Sequence, residues 1–174
     1  MRNTQALLTQ YARYHRDPRN IATHFVGVPM IVLAVGVLLA RASIELGGWT
    51  VSAAWLAWAA STVWYLGRGH LGAGVTVSAA IAGLMVLAHP LAAGSTASWL
   101  AWGLGLFGVG WVIQFVGHYY EGRKPAFVDD LVGLLVGPLF VSTEVLFALG
   151  LCRPLRQAIE AEAGPVQLRT PQSA

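Results

Sequence analysis

Charge is scarce in this chain. Asp, Glu, Lys and Arg make up only 11% of its 174 residues. A soluble domain carries about 25%, so an ordinary water-facing surface is excluded. Cysteine is nearly absent. With Cys152 alone, neither an internal disulfide nor a thiolate metal cluster can form. The strict apolar-polar alternation of a barrel strand is missing. Runs of Lys and Arg are also missing, which argues against nucleic acid as a partner. The net charge of +3 is spread over loops and suits contact with anionic headgroups.

What the chain does have is length without charge. Residues 24–40, 50–67, 72–93, 97–117 and 131–151 are apolar. A helix needs about 20 apolar residues to cross the hydrocarbon core. Open sheet edges do not survive there, so helices are the expected element. The expected fold is all-α: a polytopic membrane bundle of four to five membrane segments with a short N-terminal amphipathic helix. One helical domain is expected over 1–152, followed by a polar tail over 153–174. Residues 1–20 are basic, 25–39 are apolar, and Ala40-Arg41-Ala42 imitates a signal-peptide cleavage site. The length of that leader, with His15, Asp17 and His24 inside it, favours an uncleaved first span.

Residues 4–16 repeat Leu7, Leu8, Tyr11 and Tyr14 or His15 at helical spacing. Asp17-Pro18 should stop that helix, because a residue before proline avoids the helical region. Asn20 is placed to cap the next one. Arg2, Arg13, Arg16 and Arg19 put the N-terminus on the cytoplasmic side by the positive-inside rule. Counting crossings then puts His15, His24, His70 and His118 at the cytoplasmic boundary and His89 near the outer one. Pro138 and Glu144 interrupt the last segment, which reads as a kinked or re-entrant hairpin returning the tail inside. An integral protein of a bacterial inner membrane is expected, with its polar cluster facing the cytoplasm.

His15 and His24 are nine residues apart. On one straight helix they would lie on opposite faces, so they converge only across the break at Asp17-Pro18. Gln114, His118 and Glu121 form one polar stripe at spacings of four and three. Such a stripe faces the bundle interior. Imidazole with oxygen donors suits iron, zinc or manganese, with Gln114 placed to orient the ligands. His15, His24 and His118 are the candidate metal ligands. Glu121, Glu144 and Asn20 are the candidate catalytic groups. Arg16, Arg123 and Lys124 are candidates for a substrate carboxylate, although each also reads as ordinary topogenic charge. His70 and His89 read as interfacial hydrogen-bonders. Glu144, alone in an apolar run, reads either as functional or as a protonated acid bonded to a neighbouring helix.

Two segments carry a family resemblance. One holds Tyr14-His15, Pro18, Asn20, His24 and Pro29. The other holds Trp111, Gln114-Phe115-Val116-Gly117-His118, Glu121 and Arg123-Lys124-Pro125-Ala126, extended by Asp129, Pro138, Glu144 and Phe147-Ala148-Leu149-Gly150. Together they resemble the Mpo1-like family over nearly the whole chain, most specifically around His118. The resemblance implies an Fe(II)-dependent dioxygenase of fatty-acid α-oxidation. Such an oxidoreductase shortens long-chain 2-hydroxy fatty acids by one carbon at the lipid bilayer, using O2 without 2-oxoglutarate. His15, His24 and His118 match the family's histidine positions; Glu121, Glu144, His89 and His70 stay open as a fourth ligand. The rival readings are another metal-dependent lipid hydroxylase or hydrolase, a haem cytochrome, and a small non-enzymatic transporter or assembly protein.

Overall fold

The computed structural model describes residues 2–125 and 132–169. Expected Ala126 and Asp129 of the motif lie outside the described residues. Among the described residues, seven helices and one hairpin follow in chain order. They are α1 (Thr4–Ala12), α2 (Pro18–Ala40), β1 (Ser43–Leu46), β2 (Trp49–Ser52), α3 (Ala53–Leu66), α4 (Leu71–Ala92), α5 (Thr96–Glu121), α6 (Gly133–Ala148) and α7 (Arg153–Ala163).

The helical class holds. Helices α2, α4 and α5 are long and apolar enough to cross a membrane; α6 with α7 makes a fourth candidate, bent by 117° at its break. The stretch 50–67 differs from the expected full span. Its first residues belong to an antiparallel hairpin in which Leu46 pairs with Trp49. The turn is Gly47-Gly48, both at positive φ (56° and 85°), which a tight hairpin turn requires. That leaves α3 only 14 residues, about 21 Å of helix against a hydrocarbon core of about 30 Å.

Helix α2 is the centre of the bundle. Asp17 is its N-cap, accepting from the Arg19 amide, and Pro18 sits in the first turn. The cap is therefore Asp17 and not Asn20; proline's fixed φ suits the first helical position, which places the cap one residue before it. Helix α5 runs antiparallel to α2 at very close range. Gly110 sits against Ile31 and the Gly27 carbonyl, and Gly117 sits against Thr23 and Asn20. A Cβ at Gly117 would overlap both side chains, so only glycine lets the two backbones approach there.

Helix α1 is drawn into the protein. Leu7, Leu8, Tyr11 and Ala12 are buried, and the helix packs on α6 and α7. The Thr4 amide donates to the Arg68 carbonyl, which ties α1 to the α3–α4 turn. At the opposite end Arg41 donates to the Ala92 carbonyl and stacks over Trp99. Beyond Cys152, helix α7 buries Leu155 and Ile159, and the irregular segment after it returns to the α1–α2 turn, where the Gln167 amide donates to the Arg16 carbonyl.

Candidate metal centre

The chain between α1 and α2 turns at Tyr14–Asp17 and delivers His15 opposite His24. Helix α5 brings His118 from the other side. One nitrogen from each of the three lies within 4.8 Å of the other two, and all three residues are buried. The ring centroids of His15 stand 4.3 Å from His24 and 4.9 Å from His118.

Hydrogen bonds fix two tautomers. His15 Nδ1 lies 2.7 Å from the Tyr11 carbonyl, and His24 Nδ1 lies 2.8 Å from the Asn20 carbonyl. A carbonyl only accepts, so each Nδ1 carries the proton and each Nε2 carries a lone pair. Those two Nε2 atoms face each other at 2.9 Å. Two lone pairs so close repel unless a proton or a cation lies between them. Burial, helped by the neighbouring His24 and His118, holds His15 well below the usual imidazole range, which disfavours the proton. A metal ion satisfies both. Two nitrogens each about 2.1 Å from a metal and at right angles lie about 3.0 Å apart. The residues present therefore fit a divalent metal of the imidazole-binding class, iron and zinc among them. The Nδ1 of His118 is buried and has no hydrogen-bond partner among the described residues.

Glu121 holds this arrangement together. Its Oε2 accepts from the Arg16 amide at 2.9 Å, the Asp17 amide at 2.8 Å and Asn20 Nδ2 at 3.1 Å. Its Oε1 stands 3.0 Å from Arg169 Nε, a charge contact whose N–H is not aligned as a hydrogen bond. The carboxylate thus fastens the His15 turn to α5. Asn20 links it inward, donating to Glu121 while its carbonyl receives His24. Asp17 fastens the other flank. Arg19 and the Arg169 amide both donate to it, and the Arg19 side-chain bonds hold its carboxyl well below the usual carboxylate range.

A cavity of about 60 Å³ opens beside the imidazoles, lined by His24, His118, Gln114, Tyr11, Trp111 and apolar residues of α2 and α6. Gln114 is buried, and its Oε1 has no hydrogen-bond partner among the described residues. The other sequence candidates lie elsewhere. Arg16 is buried, donating to the His15 and Gly164 carbonyls, and it lines a recess with Glu144, Arg156 and Glu160. Arg123 is exposed and donates to the Arg13 carbonyl; Lys124 is exposed beside it. His70 caps α4. His89 pairs with Ser52 at 3.0 Å and stacks on Trp55. Sequence reasoning missed Tyr11, whose ring stacks on His15 at 4.0 Å and whose carbonyl orients it. The spacing held the signal: each of these two histidines bonds the carbonyl four residues before it. Arg169 had no readable signal.

A curated relative, the 2-hydroxy-palmitic acid dioxygenase MPO1 of Saccharomyces cerevisiae (strain ATCC 204508 / S288c), is 32% identical over 154 residues, covering 86% of this chain and 83% of the relative. No solved structure matches. The family model described as 2-hydroxy-palmitic acid dioxygenase Mpo1-like matches residues 1–149, and the chain belongs to that Mpo1-like family.

Proposed function

We propose that this protein is an Fe(II)-dependent dioxygenase that shortens 2-hydroxy fatty acids by one carbon within the membrane. The observation that carries the reading is the facing pair of Nε2 lone pairs on His15 and His24, completed by His118, beside a cavity that is apolar apart from Gln114, Tyr11 and the imidazoles. The yeast relative, named for action on 2-hydroxy-palmitic acid, supports the substrate class. The balance closes when O2 accepts four electrons, the C1–C2 bond breaks, C2 becomes the new carboxyl, and C1 leaves as carbon dioxide with one water.

Iron, when bound by His15, His24 and His118, supplies the reaction with O2 that no side chain here possesses. The protein does the rest. Tyr11 and Asn20 hold the imidazoles in the binding tautomer. Glu121 holds the turn that carries His15, so its role is positioning. Gln114 offers a buried acceptor with no partner among the described residues, and the substrate's 2-hydroxyl is the donor that meets it. Trp111, Val28 and Ile31 keep the cavity dry. Arg123 and Lys124, exposed at the end of α5, are the cations placed for a carboxylate arriving from the headgroup region. Arg16 and Glu144 form a separate charged layer behind the His15 turn. The positive N-terminal segment puts this end of the bundle on the cytoplasmic side.

The test is anaerobic purification with iron analysis, then oxygen uptake with 2-hydroxy acids and mass detection of the product. Oxygen use independent of the 2-hydroxyl, or a product of unchanged length, would remove the α-oxidation reading.

A further inference from the structure

The small cavity at the histidines does not end there. It shares Ile31, Val32, Trp111, Leu134 and Pro138 with a larger groove of about 350 Å³. That groove is walled by α2, α3, α4, α5 and α6, and Ser61 and Tyr65 are its polar-tipped side chains. It follows α2 away from His24 as far as Leu39. Fifteen residues of helix put the two about 22 Å apart. Val35 and Phe107, both on its lining, are also exposed, so the groove opens sideways toward the lipid. Its far end is closed by Ala54, buried in the first turn of α3 immediately after the hairpin.

We propose that this groove holds the alkyl chain of the 2-hydroxy acid and that α3 gauges its length; the inference rests on the function proposed above. Continuity with the histidine cavity selects the occupant. A molecule filling both spaces needs a polar head at Gln114 and the imidazoles and an unbranched apolar body beyond. Ala57 and Ser61 lie one turn apart on α3, and their small side chains leave the groove wide. Ser61 is nearer the histidine end, because Tyr65, four residues further along, reaches the start of α6. Ala57 lies deeper, and the start of α3 is the stop. The short helix and its hairpin thus set the longest chain that fits. Entry is lateral, past Val35 and Phe107, so the substrate never leaves the bilayer.

The experiment uses the iron-loaded protein in phospholipid nanodiscs and a long-chain 2-hydroxy acid with a diazirine at its terminal carbon. Photolabel should map to the first two turns of α3, Met85 or Leu39, and unlabelled 2-hydroxy acid should protect these positions while excess phospholipid does not. In parallel, Ala57→Phe should lower kcat/KM for the longest chains by about tenfold, the effect of excluding about two methylenes, and leave shorter chains little changed. Ser61→Phe should move the cut-off to shorter chains still. Label confined to the outer face of α5, at Val109 or Val112, or protection by phospholipid alone, overturns the inference and makes the groove a lipid seam. So does normal turnover with a chain-length profile that neither substitution moves, which would leave the dioxygenase reading intact. Groove labelling without turnover of any 2-hydroxy acid supports the chain site and removes the reaction.

Discussion

At the scale of single residues, the site is governed by which nitrogen holds a proton. Tyr11 and Asn20 each present a carbonyl to an Nδ1, and that choice leaves two donors pointing at one spot. His15→Ala, His24→Ala or His118→Ala should each abolish iron binding while the protein still inserts; iron retained at wild-type stoichiometry in all three would refute the ligand set. Gln114→Leu keeps the volume and removes the acceptor. It should cost about tenfold or more in kcat/KM, because a substrate hydroxyl would then be buried unpaired, and iron content should not change. An unchanged kcat/KM would release Gln114 from that role. Protonation gives a third prediction. Folded His15 prefers the neutral form, so unfolding takes up a proton and stability rises with pH. Its contribution is fully present above the ordinary imidazole value of about 6.5 and is lost as pH falls below it. Urea unfolding of metal-free protein across this range should show that slope, and His15→Ala should flatten it. The histidines were readable because nine-residue spacing across Asp17-Pro18 admits only one way to converge. Glu121 was readable as important but not as a clamp, since its partners are backbone amides, which no sequence displays.

At the scale of elements, the α2–α5 pair does the positioning. Gly117 faces Thr23 and Asn20 where a methyl has no room. Gly117→Ala should cost about 1–3 kcal/mol, read as a lower unfolding midpoint in mild detergent; no loss would mean that the helices part easily there. Glu121→Gln should keep the metal stoichiometry and weaken affinity by about 10–100-fold, as for other groups that orient ligands. Complete loss of metal, with the fold kept, would restore Glu121 as a ligand. The apolar runs announced α4 within one residue at each end, and α2 and α5 without their polar turns at the histidine end, which begin at Pro18 and finish at Glu121. Segment 50–67 misled because hydropathy does not register a hairpin. Its local signal was Gly47-Gly48 between short strand-like stretches. Helix α7 was hidden by its charge, though Leu155 and Ile159 stand four apart on one face.

At the scale of the whole molecule, His15, His24, His118, α1, the α3–α4 turn and the returning C-terminal segment gather at one end. Cysteines introduced at exposed Gln5 and Lys124, in a Cys152→Ser background, should resist an impermeant reagent in intact cells and react after lysis. Labelling of either in intact cells would put the site on the other face. The turn that carries His15 is held by Glu121, 105 residues from Arg16, and by Arg169, 152 residues from Asp17. Local bonds to the Tyr11 and Ala12 carbonyls and the Asp17 cap shape the turn, but its fastening to α5 and to the C-terminal segment is long-range. The N-terminal histidine is therefore made first and seated last. During synthesis α2 can insert before Glu121 exists, so the His15 turn is fastened in two stages, by Glu121 when α5 packs on α2 and by Arg169 when the C-terminal segment returns. A ribosome stalled before that point would display an inserted bundle with its three imidazoles and Glu121 present but the Arg169 half of the clasp still missing.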